Sequence, residues 1–173
     1  MLKLLRHLLA IAALPFVVTV VIPTRLARRQ GITLHLAASL PSRLAQVLGL
    51  AVPELGLGLF FGSLRRFATE GDGTLAPWDP PRRLVVAGLY RFVRNPMITG
   101  VLFVLLGEAL LLLSRSHLEW AVLFFAINAV YIPLLEEPQL LLRFGEPYRE
   151  YCRHVPRLIP RLQPWQPPDN RGA

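Results

Sequence analysis

Cysteine is nearly absent from this 173-residue chain, which contains only Cys152. A single thiol cannot form an internal disulfide, and it cannot supply the cysteine clusters of zinc or iron–sulfur sites. The four histidines are dispersed along the chain without the close spacing of a ligand set; they are His7, His35, His117 and His154. We therefore expect no metal site.

Charged residues are also scarce, at 17%, whereas 53% of the residues are hydrophobic and the mean hydropathy is +0.44. This composition differs from that of an ordinary soluble domain. The net charge is +8, and the basic residues lie between apolar runs, as in cationic loops that face anionic lipid head groups. Nucleic-acid binding would also suit the charge, but the apolar runs argue against it. We interpret the chain as an integral membrane protein.

Four apolar runs are candidate membrane spans: residues 8–22, 44–64, 97–114 and 118–135. The first has the basic start of a signal peptide, but no small-residue cleavage site follows it, so a retained span is favoured. Residues 31–43 are mixed and short, which indicates an interfacial or re-entrant segment; if they cross instead, the N-terminus is reversed. The expected fold is all-α, a polytopic membrane bundle of four to five spans.

The distribution of basic residues predicts the orientation of these spans. With four spans, fourteen of the nineteen basic residues fall on the side that carries both chain ends and the loop after the second span. By the positive-inside rule this side is cytoplasmic. The loop, residues 67–84, is rich in Gly and Pro and is predicted to be turn-rich. From residue 136 the pattern predicts an amphipathic tail of two short helices, divided at Gly145 and Pro147.

The third span carries small and acidic residues on one helical face. Gly100, Gly107 and Glu108 are spaced seven and eight residues apart, so they share this face. The glycines allow close approach either of a ligand or of a neighbouring helix, and both readings stay open. A carboxylate at membrane depth requires a partner, protonation or a polar cavity, and Asn128 on the next span is a candidate partner for Glu108.

Two acidic residues, Glu136 and Glu137, end the fourth span. A helix C-terminus carries partial negative charge, so adjacent acids there favour a cationic partner. Arg91 and Arg94 lie at the same membrane edge by topology. Because Pro96 begins a helix beside these arginines, unpaired backbone N–H groups converge with them, which suits a ligand that has a carboxylate end.

The segments "GLYRFVRNPMITG" and "EEPQLLLRFGEPYREYCRHVPRLIP" together resemble the isoprenylcysteine carboxyl methyltransferase and phospholipid N-methyltransferase group of membrane enzymes. The upstream "GDGTLAPWDPPRRLVVAG" is similar to bacterial members, so the resemblance covers roughly residues 71–160, while the first 64 residues match only as generic spans. It implies a helical methyltransferase that uses S-adenosylmethionine. Residues 1–64 would then be N-terminal spans, and residues 65–173 a cofactor-binding catalytic region that faces the cytoplasm of a bacterial inner membrane.

The resemblance also implies site residues. Cofactor contacts are implied for Tyr90, Arg94, Asn95, Pro96, Gly100, Glu136, Glu137, Tyr148 and Tyr151. Gly107 is expected to join them because it shares the helical face of Gly100. Direct catalytic roles are expected for Arg94, and for Glu137 and Glu108 as candidate bases if the acceptor is an amine. Asn95 replaces a frequent histidine and Ile98 a frequent tyrosine, which puts the acceptor in doubt more than the cofactor. The acceptor is expected to be a membrane lipid or another apolar molecule that presents a carboxylate, thiol or amine.

Two other functions are compatible with these patterns. Sterol reductases that use NADPH share a similar arrangement of arginine, proline and glycine, although this chain lacks their extra spans. A non-catalytic membrane scaffold would use Arg94 and Glu136 only as a structural ion pair. A methyltransferase is expected to bind S-adenosylhomocysteine, a reductase is expected to bind NADPH, and a scaffold is expected to bind neither.

Overall fold

The computed structural model describes residues 13–70 and 84–166, and within these ranges the regular structure is entirely helical. The helices are α1 (Ile22–Gln30), α2 (Leu40–Glu70), α3 (Pro96–Leu111), α4 (Arg115–Tyr131), α5 (Glu137–Phe144) and α6 (Glu146–His154). Two π-helical segments, Val17–Val21 and Ile132–Glu136, precede α1 and α5, and a 3₁₀ turn spans Gly88–Arg91. The prediction of an all-α fold is confirmed for the described ranges.

Both π-helical segments stand directly before a proline that a continuous helix must accommodate. Pro23 follows the first segment by two residues, and Pro138 follows the second in the same way. A proline lacks the N–H of the normal helical bond and crowds the preceding turn, which the wider π turn absorbs. The helix therefore does not end near residue 22 or residue 135, as predicted from the sequence, but continues to Gln30 and Phe144.

The connection between α1 and α2 is not helical. Residues 31–39 form a turn, irregular chain and a bend, and α2 begins at Leu40, inside the segment predicted to be interfacial or re-entrant. Gln46 holds this connection, because its side chain accepts from the Ala37 N–H at 3.0 Å and donates to the His35 carbonyl at 2.6 Å. Nine non-helical residues do not make a fifth helical crossing.

The longest helix, α2, has 31 residues and runs through Pro53. It contains the predicted span 44–64, but it continues to Glu70, so the predicted loop does not begin at residue 67. The rest of that loop, residues 71–83, lies outside the described residues.

The central helix, α3, packs between α2 and α4 and contains more buried residues than any other helix of the described chain. Its 16 residues span about 24 Å, less than the hydrocarbon thickness of about 30 Å. It ends at Leu111 and not at residue 114, because Leu113 adopts a positive φ of 49° and the Ser114 hydroxyl caps α4. The tight antiparallel hairpin predicted between these helices is confirmed.

Two helical stretches of the described chain are long and apolar enough to cross a bilayer, Leu40–Arg66 and Arg115–Phe144. The α3 helix is apolar but shorter. Large apolar side chains on both long stretches are exposed in the protein alone, including Leu44, Leu55 and Val130. These features support an integral membrane protein, whereas the predicted number of four spans stays a prediction.

Candidate functional site

The segment before α3 is shaped to bring polar groups to the start of that helix. Gly88 adopts a positive φ of 55°, a conformation that L side chains rarely adopt, and it begins the 3₁₀ turn. The chain then buries Val93 completely before Pro96 opens α3. Arg94 and Asn95 are therefore held between a buried residue and a helix N-terminus.

The end of the chain folds back over this segment. Residues 155–166, here called the C-terminal strap, exchange backbone hydrogen bonds with residues 91–95: the Arg94 N–H donates to the Pro156 carbonyl at 2.8 Å, and the Trp165 N–H donates to the Arg91 carbonyl at 2.9 Å. The Thr99 hydroxyl adds a buried bond to the Leu158 carbonyl at 2.8 Å. The strap thus fixes the backbone of the motif residues.

An ion cluster joins this segment to α5. Nη1 of Arg94 lies 2.9 Å from Oε1 of Glu137, so the predicted pairing of Arg94 with the acidic pair is confirmed. Arg157, on the strap, binds both oxygens of the same carboxylate, with Nε–Oε1 and Nη2–Oε2 distances of 2.6 and 2.8 Å. This hydrogen bonding raises the pKa of Arg157, which stays charged. Glu137 is therefore held between two guanidinium groups.

Arg94 retains an unused donor at the centre of the cluster. Its side chain is only 9% exposed, and its Nη1 also donates to Sγ of Cys152 at 2.7 Å. In contrast, its Nε is buried and has no hydrogen-bond partner among the residues that the structure describes. A buried N–H without a partner is costly, so this atom is suited to receive an acceptor group from a ligand.

Three tyrosines surround the cluster. The Tyr151 hydroxyl donates to the Tyr90 carbonyl at 2.6 Å, which ties α6 to the 3₁₀ turn. Burial raises the pKa of Tyr90 to about 12, with a smaller contribution from the charge of Glu136. Burial likewise raises the pKa of Tyr148 and of Tyr151. All three phenols stay neutral at physiological pH and act as hydrogen-bonding or packing groups.

The structure brings together most of the predicted residues. The group at the start of α3 consists of Tyr90, Arg94, Asn95, Pro96, Glu136, Glu137, Tyr148 and Tyr151. Glu136 faces Tyr90, and the structure records no hydrogen bond or ion pair from Glu136 to another residue of the described ranges. Arg91 does not join the acidic pair as expected, because its Nε donates to the Trp165 carbonyl at 2.7 Å.

The two glycines of α3 have a packing role. A Cβ built on Gly100 would lie 2.5 Å from the Gly56 carbonyl, and one on Gly107 would overlap the ring of Pro53. Both glycines therefore let α2 and α3 approach closely, which is the helix-packing reading of their spacing. A contact with the cofactor is not needed to explain them.

Glu108 is not part of this group. It lies about 18 Å along α3 from Pro96, near the opposite end of the helix. The expected pairing of Glu108 with Asn128 is also wrong. Asn128 donates to the Phe124 carbonyl one turn back, and it lies about 15 Å from Glu108 in depth, because it is ten residues further from the α3–α4 turn. Oε2 of Glu108 is buried and has no hydrogen-bond partner within residues 13–70 and 84–166.

Sequence reasoning did not identify Arg157 or Cys152 as neighbours of Arg94. Arg157 follows the Val-Pro pair that ends α6, and a single basic residue after a helix carries no local signal of its target. Only the tertiary structure reveals both contacts, because α6 places Cys152 beside Arg94 and the strap brings Arg157 back across the same segment.

Comparison with known proteins identifies a family and several similar proteins. Residues 44–147 match the phospholipid methyltransferase family. Methanethiol S-methyltransferase 2 of Bradyrhizobium diazoefficiens is 37% identical over 88 residues, which are 49% of this chain and 32% of that protein. Methanethiol S-methyltransferase 1 of the same organism is 37% identical over 83 residues, 46% of this chain and 27% of that protein.

A delta(14)-sterol reductase of Mus musculus is 37% identical over 87 residues, which are 49% of this chain and 21% of that protein. The matched segment thus spans about a third or less of the length of each of these relatives. No solved structure matches the chain.

Proposed function

Because the chain belongs to the phospholipid methyltransferase family, we propose that it transfers a methyl group from S-adenosylmethionine to an apolar acceptor at the membrane. Methyl transfer is inferred from membership of the family and from the similarity to named methyltransferases. The cofactor and the class of acceptor rest on the chemistry of the site around Arg94.

The fit to the cofactor rests on the buried Nε of Arg94, which has no partner. This N–H and the N-terminus of α3 are donors suited to the carboxylate end of the methyl donor. The carboxylate of Glu136 is an acceptor suited to the ammonium group or to ribose hydroxyls, because no described residue occupies it. Tyr90, Tyr148 and Tyr151 exclude water from the surrounding space.

Glu137 is a positioning residue in this proposal. Its two oxygens accept three hydrogen bonds from Arg94 and Arg157. A carboxylate held in this way is a weak base, because protonating it would break both ion pairs. Its task is to orient Arg94, and no general base is assigned to the site.

The absence of an assigned base favours an acceptor that reaches the site as an anion. S-adenosylmethionine supplies a methyl group on a cationic sulfur, and attack by a thiolate or carboxylate cancels two opposite charges. At 4 Å such a pair attracts by about 1 kcal/mol in water and about 4 at an effective dielectric of 20, although part of this gain also stabilises the bound ground state. An amine would first have to lose a proton. The names of the two methanethiol methyltransferases favour a thiol.

Binding measurements test the proposal directly. Isothermal titration of the detergent-solubilised protein with S-adenosylhomocysteine is expected to give saturable heat, and titration with NADPH is expected to give none. NADPH binding without S-adenosylhomocysteine binding would instead support a membrane reductase, the alternative that the sterol reductase match suggests. Failure of both ligands to bind would leave the scaffold function.

A further inference from the structure

The C-terminal strap bends back on itself beside the first turn of α3. The Leu158 carbonyl accepts from the hydroxyl of Thr99, which lies in that turn, at 2.8 Å. The chain then returns, because the Arg161 N–H donates at 3.0 Å to the carbonyl of Phe92, which precedes the helix. Residues 158–162, here called the strap tip, are therefore the turning point of the strap.

The apolar part of α2 ends at the same level. A Cβ on Gly100 would lie 3.0 Å from the backbone nitrogen of Phe60, so these two residues are neighbours on antiparallel helices. At 1.5 Å per residue, Arg66 lies about 9 Å from Phe60 along α2. Pro96 lies about 6 Å from Gly100 in the same direction. The apolar stretch Leu40–Arg66 thus ends close to the start of α3, and the strap tip lies at this edge.

The strap tip has large apolar side chains that the described part of the chain leaves uncovered. Ile159 is 74% exposed and Leu162 is 98% exposed, whereas Leu158 between them and α3 is buried. Exposed leucine and isoleucine at the edge of an apolar region are suited to the boundary between lipid head groups and acyl chains. The non-helical backbone of the tip excludes a position in the hydrocarbon core, where its polar groups would lack partners.

Basic residues accompany these apolar side chains. Arg157 directly precedes the strap tip, Arg161 lies within it, and Arg65 and Arg66 end the apolar stretch of α2 at the same level. Residues 151–166 contain no aspartate or glutamate. In a phospholipid leaflet, anionic head groups lie above acyl chains, so both the charge and the apolar surface of this region match a leaflet.

We propose that the strap tip inserts into the phospholipid leaflet on the side of the candidate site. Ile159 and Leu162 contact the outer carbons of the acyl chains, and the arginines lie at the level of the phosphates. Because Arg157 of the strap binds Glu137, lipid that holds the tip also holds this arginine on the ion cluster. The proposal requires that α2 and α3 lie in the membrane, and it does not depend on the cofactor or on methyl transfer.

Photo-cross-linking tests the contact with lipid. Ile159 and Leu162 are replaced, in separate variants of the full chain, by the photoreactive residue p-benzoylphenylalanine. Each variant is reconstituted in vesicles of phosphatidylcholine and phosphatidylglycerol and irradiated, so that the benzophenone forms a bond to a neighbouring C–H group. Intact-protein mass spectrometry identifies the adducts, and phospholipid adducts are expected at both positions.

The same replacement at Arg149 is the matched control. Arg149 is exposed on α6 and pairs with Glu146 at 2.8 Å, so it belongs to a charged helix surface. Its phospholipid adduct is expected to be at least about fivefold weaker than those of the strap tip. Equal yields at the three positions, adducts of the tip with a second copy of the chain only, or no adduct at the tip would overturn the proposal.

Hydrogen exchange tests whether lipid holds the strap in place. In nanodiscs of the same lipids, the double variant Ile159→Ser, Leu162→Ser is expected to exchange the amide hydrogens of residues 155–166 at least about tenfold faster than the wild type, because less apolar surface is buried in the leaflet. Leu142→Ser removes an exposed leucine of α5 instead and should change this exchange by less than about twofold. Unchanged exchange in the double variant would overturn the proposed role of lipid in holding Arg157.

Discussion

The start and the middle of α3 contact their neighbours through different kinds of interaction. Beyond Pro96, the helix is joined to the rest of the protein by charge and hydrogen bonds, through Arg94, Glu137 and the C-terminal strap. Along its middle, α3 packs closely against α2 because glycine has no side chain. Gly100 contacts Gly56 there, and Gly107 contacts Pro53. Close packing within the apolar region leaves no space for a ligand there. At the polar end the Nε–H of Arg94 is buried without a partner among the described residues, next to the ion cluster, and this combination marks the candidate site.

Removing the guanidinium at the polar end is expected to have the largest effect. Arg94→Ala should weaken S-adenosylhomocysteine binding by at least about 100-fold, which corresponds to roughly 3 kcal/mol, because a buried charged donor is lost. The fold should survive, since Arg157 still pairs with Glu137. Titration calorimetry measures the first effect, and the thermal unfolding midpoint in detergent measures the second. Near-wild-type binding would show that the ligand lies elsewhere.

Filling the glycine contact is expected to act on stability instead. Gly107→Val places side-chain atoms where the Pro53 ring lies and should cost about 1–3 kcal/mol, seen as a lower unfolding temperature. Gly58→Ala is the matched control, because its Cβ has open space and alanine favours the helix. Equal destabilisation by both changes would contradict the packing role of Gly107.

A smaller effect is expected from the strap side of the ion cluster. Arg157→Gln should raise the KM for S-adenosylmethionine about threefold to tenfold, because Glu137 loses its bidentate partner and orients Arg94 less well. The partial exposure of Arg157 limits the effect through solvent screening. Arg157→Lys retains the charge and is expected to recover part of the loss. An equal fall in unfolding temperature for both variants, with KM unchanged, would show a purely structural role.

The smallest effect is expected at Glu108. Glu108→Gln should leave S-adenosylhomocysteine binding unchanged within about twofold, because the residue lies about 18 Å along the helix from Pro96. Gly107→Ala serves as a neighbouring comparison in the same assay, since it perturbs the packing face only. A tenfold loss of cofactor binding in Glu108→Gln would show that the site extends along α3.

Hydrophobic periodicity predicts the helices of this chain better than it predicts their ends or their side-chain contacts. The apolar runs predicted the helices and the hairpin between α3 and α4, because the side chains of one apolar run share the same environment when they lie on one helix. Helix ends were less predictable: spans were predicted to end at residues 22 and 135, yet the helices continue through π turns to Gln30 and Phe144. The pairing of Arg94 with the acidic residues followed from topology. The pairing of Arg157 with Glu137 could not be predicted in this way, because Arg157 lies on the strap, 20 residues away in the chain.

The sequence by itself determined that this chain is helical and suited to a membrane, and it identified the polar residues grouped around the start of α3. Composition and periodicity suffice for these features because they act locally along each helix. The tertiary structure decided which glycines serve packing, that Glu108 lies apart from the cluster, and that Arg157 completes it. These outcomes depend on the depth and rotation of one helix against another and on the path of the strap, which no local pattern in the chain encodes.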